Sequence, residues 1–104
     1  MNMFCVVYQI RIKKSHLTQI DDFIQAWVDM TNFIKQYEGG LGSRLHQVSQ
    51  TEYLAYAQWP SRETWEKSGN NLPKEARLAR ETMRLCYESF EAIHTMDMVE
   101  DLLD

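Results

Sequence analysis

Between Phe4 and Ile12 the chain alternates with a period of two. Phe4, Val6, Tyr8, Ile10 and Ile12 fall on one side, Cys5, Val7, Gln9 and Arg11 on the other. That periodicity, in residues that favour extended backbone, specifies a strand over 4–12. One face is strongly apolar and must be covered. The other mixes Cys and Val with Gln and Arg and is only partly suited to water. Such a strand needs neighbours for its backbone and a lid for its apolar face. The 104 residues must supply both within one domain, because a second domain of ordinary size does not fit.

The rest of the chain provides the expected pieces. Lys13 to Leu17 form a connection. Thr18 followed by Asp21 resembles a capping box, with Ser15 as a competing cap. A helix then runs to about Tyr37, with Ile20, Ile24, Trp27, Thr31 and Ile34 on one stripe widened by Phe23 and Met30. Gly39-Gly40 stops it. Residues 41–49 and 53–59 read as two strands joined by a hairpin at Gln50-Thr51-Glu52. Pro60 ends the third strand. Ser61 caps a short helix reaching about Ser68, with Glu63 in its first turn. Gly69-Asn70-Asn71-Leu72-Pro73 breaks that helix. A second helical stretch runs from about Lys74 to Glu88. Ala76, Ala79, Met83, Cys86 and Phe90 repeat along it, and Arg77, Arg80, Glu81 and Arg84 form a solvated face. Residues 91–98 read as a last strand. Val99 to Asp104 is an acidic-apolar tail, either a helical turn or an extension of that strand.

The order is β-α-β-β-α-β with the second helix broken, the ferredoxin-like α+β arrangement of helices on one face of an antiparallel four-stranded sheet. The uncovered face would then display Val7, Val48, Leu54 and Tyr56 beside Arg44, His46 and Gln58. A contiguous apolar patch of that kind on a small chain marks an interface. The expectation is a homodimer whose two sheets face each other. Three Trp, five Tyr, four Phe and six Met in so short a chain add to the bulk a second copy could cover.

Composition narrows the partners. Eleven basic against fifteen acidic residues give a net charge of −4. That is the wrong sign for phosphate neutralisation, so no nucleic acid is expected. No lysine-rich stripe suits anionic lipid. The longest apolar run, Met3 to Tyr8, is far short of the roughly 20 residues of a membrane span, and no basic residue precedes it as in a secretory signal. No membrane association and a cytoplasmic location are expected. Cys5 and Cys86 stand far apart and are expected to be reduced. His16, His46 and His94 are scattered, with no ligand spacing for a metal.

Gly39-Gly40-Leu41-Gly42-Ser43-Arg44-Leu45-His46, followed by Tyr53 to Ser61 with its Trp59-Pro60-Ser61 step, resembles the antibiotic biosynthesis monooxygenase (ABM) domain family. The segment Tyr8 to Lys13 and the tail Met98 to Leu103 also fit. The resemblance covers nearly the whole chain. It implies a dimeric α+β barrel with a ligand pocket between sheet and helices in each subunit. Its members include monooxygenases that oxidise small aromatic, quinol-like or polyphenolic compounds with no metal, flavin or other cofactor, the activity expected here, beside others that degrade haem, act on small signalling molecules or have no known activity. The haem-degrading branch of the family uses an Asn on the first strand, a Trp in the short helix region and a His on the next helix. Here Tyr8 takes the first position, Trp65 lies near the second, and residues 74–88 contain no histidine.

Oxygenation without a cofactor needs a substrate that deprotonates easily, a dry site, a held ring and donors for the anion. The candidate catalytic residues are His46 as a base, Arg44 as an anion stabiliser, and Tyr8, the one polar-tipped residue on the apolar face of the first strand. The candidate substrate-binding residues are Trp65, Asn70, Tyr56, Met83 and Phe90. Each has a plainer reading. Arg44 and His46 could be interface residues, Trp65 a plug between helix and sheet, Asn70 turn chemistry, and Met83 and Phe90 packing. Trp27 and Trp59 read as core. The rival function is a non-catalytic dimer that binds a small hydrophobic or aromatic molecule.

Overall fold

The computed structural model describes residues 3–103. Four strands, β1 (Phe4–Ile12), β2 (Gly42–Gln47), β3 (Glu52–Trp59) and β4 (Tyr87–Asp97), form one antiparallel sheet in the order β2-β3-β1-β4. Helices α1 (Ile20–Tyr37), α2 (Arg62–Glu66) and α3 (Ala76–Cys86) complete it. The ferredoxin-like order is therefore present. Among the described residues no helix is long and apolar enough to cross a membrane.

Register assigns the faces. Phe4, Val6, Tyr8 and Ile10 pair with Trp59, Ala57, Ala55 and Tyr53, so all eight point to the helix side. All but Tyr8 are buried. On the other side Val7 lies in a row with Tyr56, Arg44 and His94, and Gln9 in a row with Leu54, His46 and Glu91. The two faces are separated by the strand alternation legible in Phe4–Ile12. Cys5 and Cys86 are both buried and unbridged.

Several boundaries differ from the sequence expectation. A 3-10 turn over Lys14–Gln19 runs straight into α1, so neither Thr18 nor Ser15 caps the helix by its side chain. The turn's own backbone bonds, such as Ile20 N–H to Leu17 C=O, take that place. Helix α3 ends at Cys86 rather than Glu88, and β4 starts at once, four residues before Glu91. Lys13 N–H donates to Cys86 C=O at 2.9 Å, and Ile12 pairs with Tyr87. This end of β1 thus draws the chain directly from helix into sheet. The tail is neither helix nor strand; Met98 N–H donates to Met3 C=O at 2.8 Å and the residues to Leu103 carry no regular structure. Asp104 lies outside the described residues. Ser61 does cap α2, its Oγ accepting from Thr64 N–H at 3.1 Å.

Candidate functional site

Two short side chains, Ala55 and Ala57, face the helices from the middle of β3. Small residues there leave space that the bulkier rows on either side cannot fill. Beside Ala57 lies a half-open chamber of about 100 Å³ between the sheet and α1, lined by Trp27, Met30, Thr31 and Ile34 from α1, Trp59 from β3, and Met83 and Phe90 from α3 and β4. Tyr8 and Ser43 reach it from the sheet. Wider depressions exist, of about 490 Å³ along the outer side of α1 and α3 and about 540 Å³ under the tail, but both are open surface grooves. No charged side chain lines the chamber.

Polar groups meet at two of its walls. The Trp65 indole N–H donates to Tyr8 Oη at 2.9 Å. This leaves the Tyr8 phenol its own proton to give, and no group among the described residues accepts it. Burial pushes the Tyr8 phenol above the ordinary tyrosine value, partly offset by the Trp65 hydrogen bond. Tyr8 is therefore a neutral donor at physiological pH. The rings of Trp65 and Phe90 sit against its surroundings, with Tyr8 and Phe90 centroids 5.1 Å apart and Phe4 and Trp65 5.7 Å apart. On the opposite wall Trp27 Nε1–H donates to Ser43 Oγ at 3.1 Å, and Thr31 Oγ1 lies 3.1 Å from the same oxygen. A shift in the pairing of β1 with β4 falls between Val7 and Tyr8, leaving Ile93 unpaired. Such a bulge re-aims side chains beside a site.

The structure gathers only part of the sequence-derived set. Tyr8, Met83 and Phe90 line the chamber, and Trp65 stands behind Tyr8. Arg44 and His46 do not join them. They are exposed on the opposite face of β2, paired with Tyr56 and Leu54. Alternation makes this unavoidable, since in the β2–β3–β1 register Arg44 and His46 share the parity of Val7 and Gln9, not of Tyr8. Tyr56 is also on that face, its hydroxyl 3.0 Å from Cys5 Sγ and accepting from Gln58 Nε2 at 3.2 Å. The thiol contact, followed by burial, raises the Tyr56 phenol. Asn70 is exposed, its Nδ2–H bonded to Lys67 C=O at 2.9 Å, and lines no cavity.

Sequence reasoning missed Trp27, Thr31 and Ser43 as chamber residues, reading Trp27 as core. The available signal was the pair of alanines on the covered face of β3, opposite a helix rich in large side chains. It also read Arg80 and Arg84 as solvated. Arg84 is exposed, as read, but Arg80 is half-buried, and both line an open surface groove beside the chamber. Among the described residues no group of three or more His, Cys, Asp or Glu could hold a metal ion.

No protein-family model matches the chain, and no curated protein matches its sequence. Solved structures do. SnoaB, a cofactor-independent oxygenase from Streptomyces nogalater, superposes with a TM-score of 0.73 at 10% identity, covering 100% of both chains. A proposed antibiotic biosynthesis monooxygenase from Caulobacter crescentus gives 0.70 at 18% identity over 95% of this chain and 92% of that one. A protein of unknown function from Nitrosomonas europaea gives 0.68 at 10% identity over 100% and 96%. At these identities the likeness establishes a shared fold across the whole domain.

Proposed function

We propose that this chain is an ABM-type monooxygenase, a cytoplasmic homodimer that oxidises a flat, readily deprotonated aromatic such as a quinol or an anthrone without a cofactor. The observation that carries the reading is the Tyr8–Trp65 pair, which presents an unspent phenol proton to a largely apolar, aromatic-lined chamber. The substrate gives its proton to solvent water at the mouth of the chamber, whose own walls offer no base. Tyr8 O–H then donates to the ring oxygen of the anion, and the Ser43 hydroxyl supports the opposite end. The anion gives one electron to dioxygen. The radical pair recombines to a peroxide anion on the ring carbon; this takes a proton back from solvent, and the hydroperoxide loses water to leave a carbonyl. The enzyme's part is to hold the ring, exclude solvent and stabilise the anion. Trp65 acts as a positioning residue through Tyr8. Arg44, His46 and Tyr56 belong to the sheet-to-sheet interface of the dimer, with Leu54 and Val7.

The absence of any charged side chain from the chamber lining favours a second reading, a dimer that holds an aromatic ligand without turning it over. One experiment separates the two. Oxygen uptake is followed with the anthrone dithranol as substrate. The monooxygenase reading expects acceleration over the spontaneous rate and a loss of about tenfold or more in Tyr8→Phe, with the rate retained in His46→Ala. No acceleration leaves the binding module standing. Loss of rate in His46→Ala with retention in Tyr8→Phe would move the chemistry to the other face of the sheet.

A further inference from the structure

One end of the uncovered sheet face carries sulfur. Cys5 of β1 pairs with Met96 of β4, so their side chains stand next to each other on that face. Beyond them Met98 N–H donates to Met3 C=O at 2.8 Å, which extends the ladder by one more row. Alternation puts Met3 and Met98 on the same side as Cys5 and Met96. Cys5, Met96 and Met98 line the groove under the tail together with Tyr56. Cys5 is buried and Met96 exposed, so the groove has a thiol at its floor and a thioether at its rim. Tyr56 is aimed at the thiol. Its oxygen accepts from Gln58 Nε2 at 3.2 Å and lies 3.0 Å from Cys5 Sγ. The phenol proton is then placed to go to the sulfur. Asp97, Glu100 and Asp101 border the groove and no basic side chain does, which favours a cation there. Yet no three carboxylate, thiol or imidazole groups among the described residues come together as a ligand set. What the groove gathers is thioether and thiol.

We propose that Cys5, Met96 and Met98 bind one soft monovalent cation of the Cu(I) type, with Met3 as a further thioether. Thiolate and thioether ligands select such an ion, whereas Mg(II) and Ca(II) prefer oxygen. Methionine has three rotatable bonds and a polarisable sulfur, so thioethers from neighbouring rows can converge on one point. Cys5 enters as the thiolate and gives its proton to solvent. Tyr56 O–H then donates to the bound sulfur, and Gln58 holds Tyr56 in that orientation. The site lies across the sheet from the aromatic chamber and uses none of its residues, so it stands apart from the oxygenase reading.

The test is an anaerobic titration of the native protein with Cu(I) against the chromogenic chelator bicinchoninate. One Cu(I) per chain is expected to pass from chelator to protein, and excess Zn(II) is expected not to displace it. X-ray absorption should show sulfur as the only ligating atom. M96L/M98L keeps side-chain volume and should weaken Cu(I) binding about tenfold or more. C5A should weaken it about 100-fold or more, since losing a ligand costs at least as much as losing an outer partner. Y56F should cost about tenfold, and C86A, which removes the other thiol, should bind as the native protein does. The inference is overturned if the native protein takes no Cu(I) from the chelator, or if the metal shell contains nitrogen or oxygen. Native affinity in M96L/M98L, or equal losses in C5A and C86A, overturns it as well. Native affinity in Y56F removes Tyr56 from the site. Should C5A fail to fold, M96L/M98L alone decides.

Discussion

The two faces of the sheet are built from the same strands and reach different states. On the helix side Phe4, Val6, Ile10, Tyr53, Ala55 and Trp59 are all buried, and Ile10, Val6 and Ala55 are fully so. On the other side Val7, Gln9, Leu54, Tyr56 and Gln58 are only half covered, and they cover one another. The covered face has more cover than side chain to fill it beside Ala57, and the shortfall is the chamber. The uncovered face has the reverse, with long side chains and no lid. In the proposed function the void takes a small molecule and the unpaired surface a second sheet. The split also explains why Tyr8 on one face and Arg44 and His46 on the other cannot be pooled into one site by chemistry alone.

The largest expected effect tests the contrast directly. Ile10→Ala, on the covered face, should lose about 2–5 kcal/mol in chemical denaturation, the range for truncating a fully buried Ile. Val7→Ala, three residues away on the uncovered face, should lose about 1 kcal/mol or less in dilute protein. Equal losses would mean the second face is already covered within one chain.

A smaller effect sharpens the contrast at the dimer. Leu54→Arg places a charge in the middle of the uncovered face and should convert a two-chain species to a one-chain species in light scattering, with the far-UV circular dichroism unchanged. A native protein of one chain mass at micromolar concentration, or an unaltered dimer in Leu54→Arg, would remove the sheet-to-sheet pairing.

The smallest effect is a pH dependence on the covered side. Burial raises the Tyr8 phenol above its ordinary value of 10.0. The unfolded chain then releases this proton first as pH rises, so stability is fully present below about pH 10 and falls above it until the folded phenol ionises too. Tyr8→Phe should make this alkaline fall shallower in denaturation midpoints taken between neutral and high pH. An identical fall in both proteins would show that the Tyr8 phenol is not held in a water-poor environment.

Much of this was legible in the chain. The alternation of Phe4–Ile12, the glycines after α1, Pro60 after β3 and the Ser61 cap are local signals, and local signals report local structure. The direct passage from α3 to β4 was not, because it depends on Lys13 reaching Cys86 C=O from a distant part of the chain. The half-burial of Arg80 was hidden for the same reason, since helical spacing gives a stripe but not what stands across from it.

By itself the order of residues determined the strands and helices, the α+β arrangement and the alternation within each strand, since these follow from backbone periodicity and the needs of individual turns. Only the tertiary structure decided where space was left, which donor met which acceptor, and which charges went unpaired. Those are properties of distances between segments far apart in the chain, and no periodicity within a segment records them.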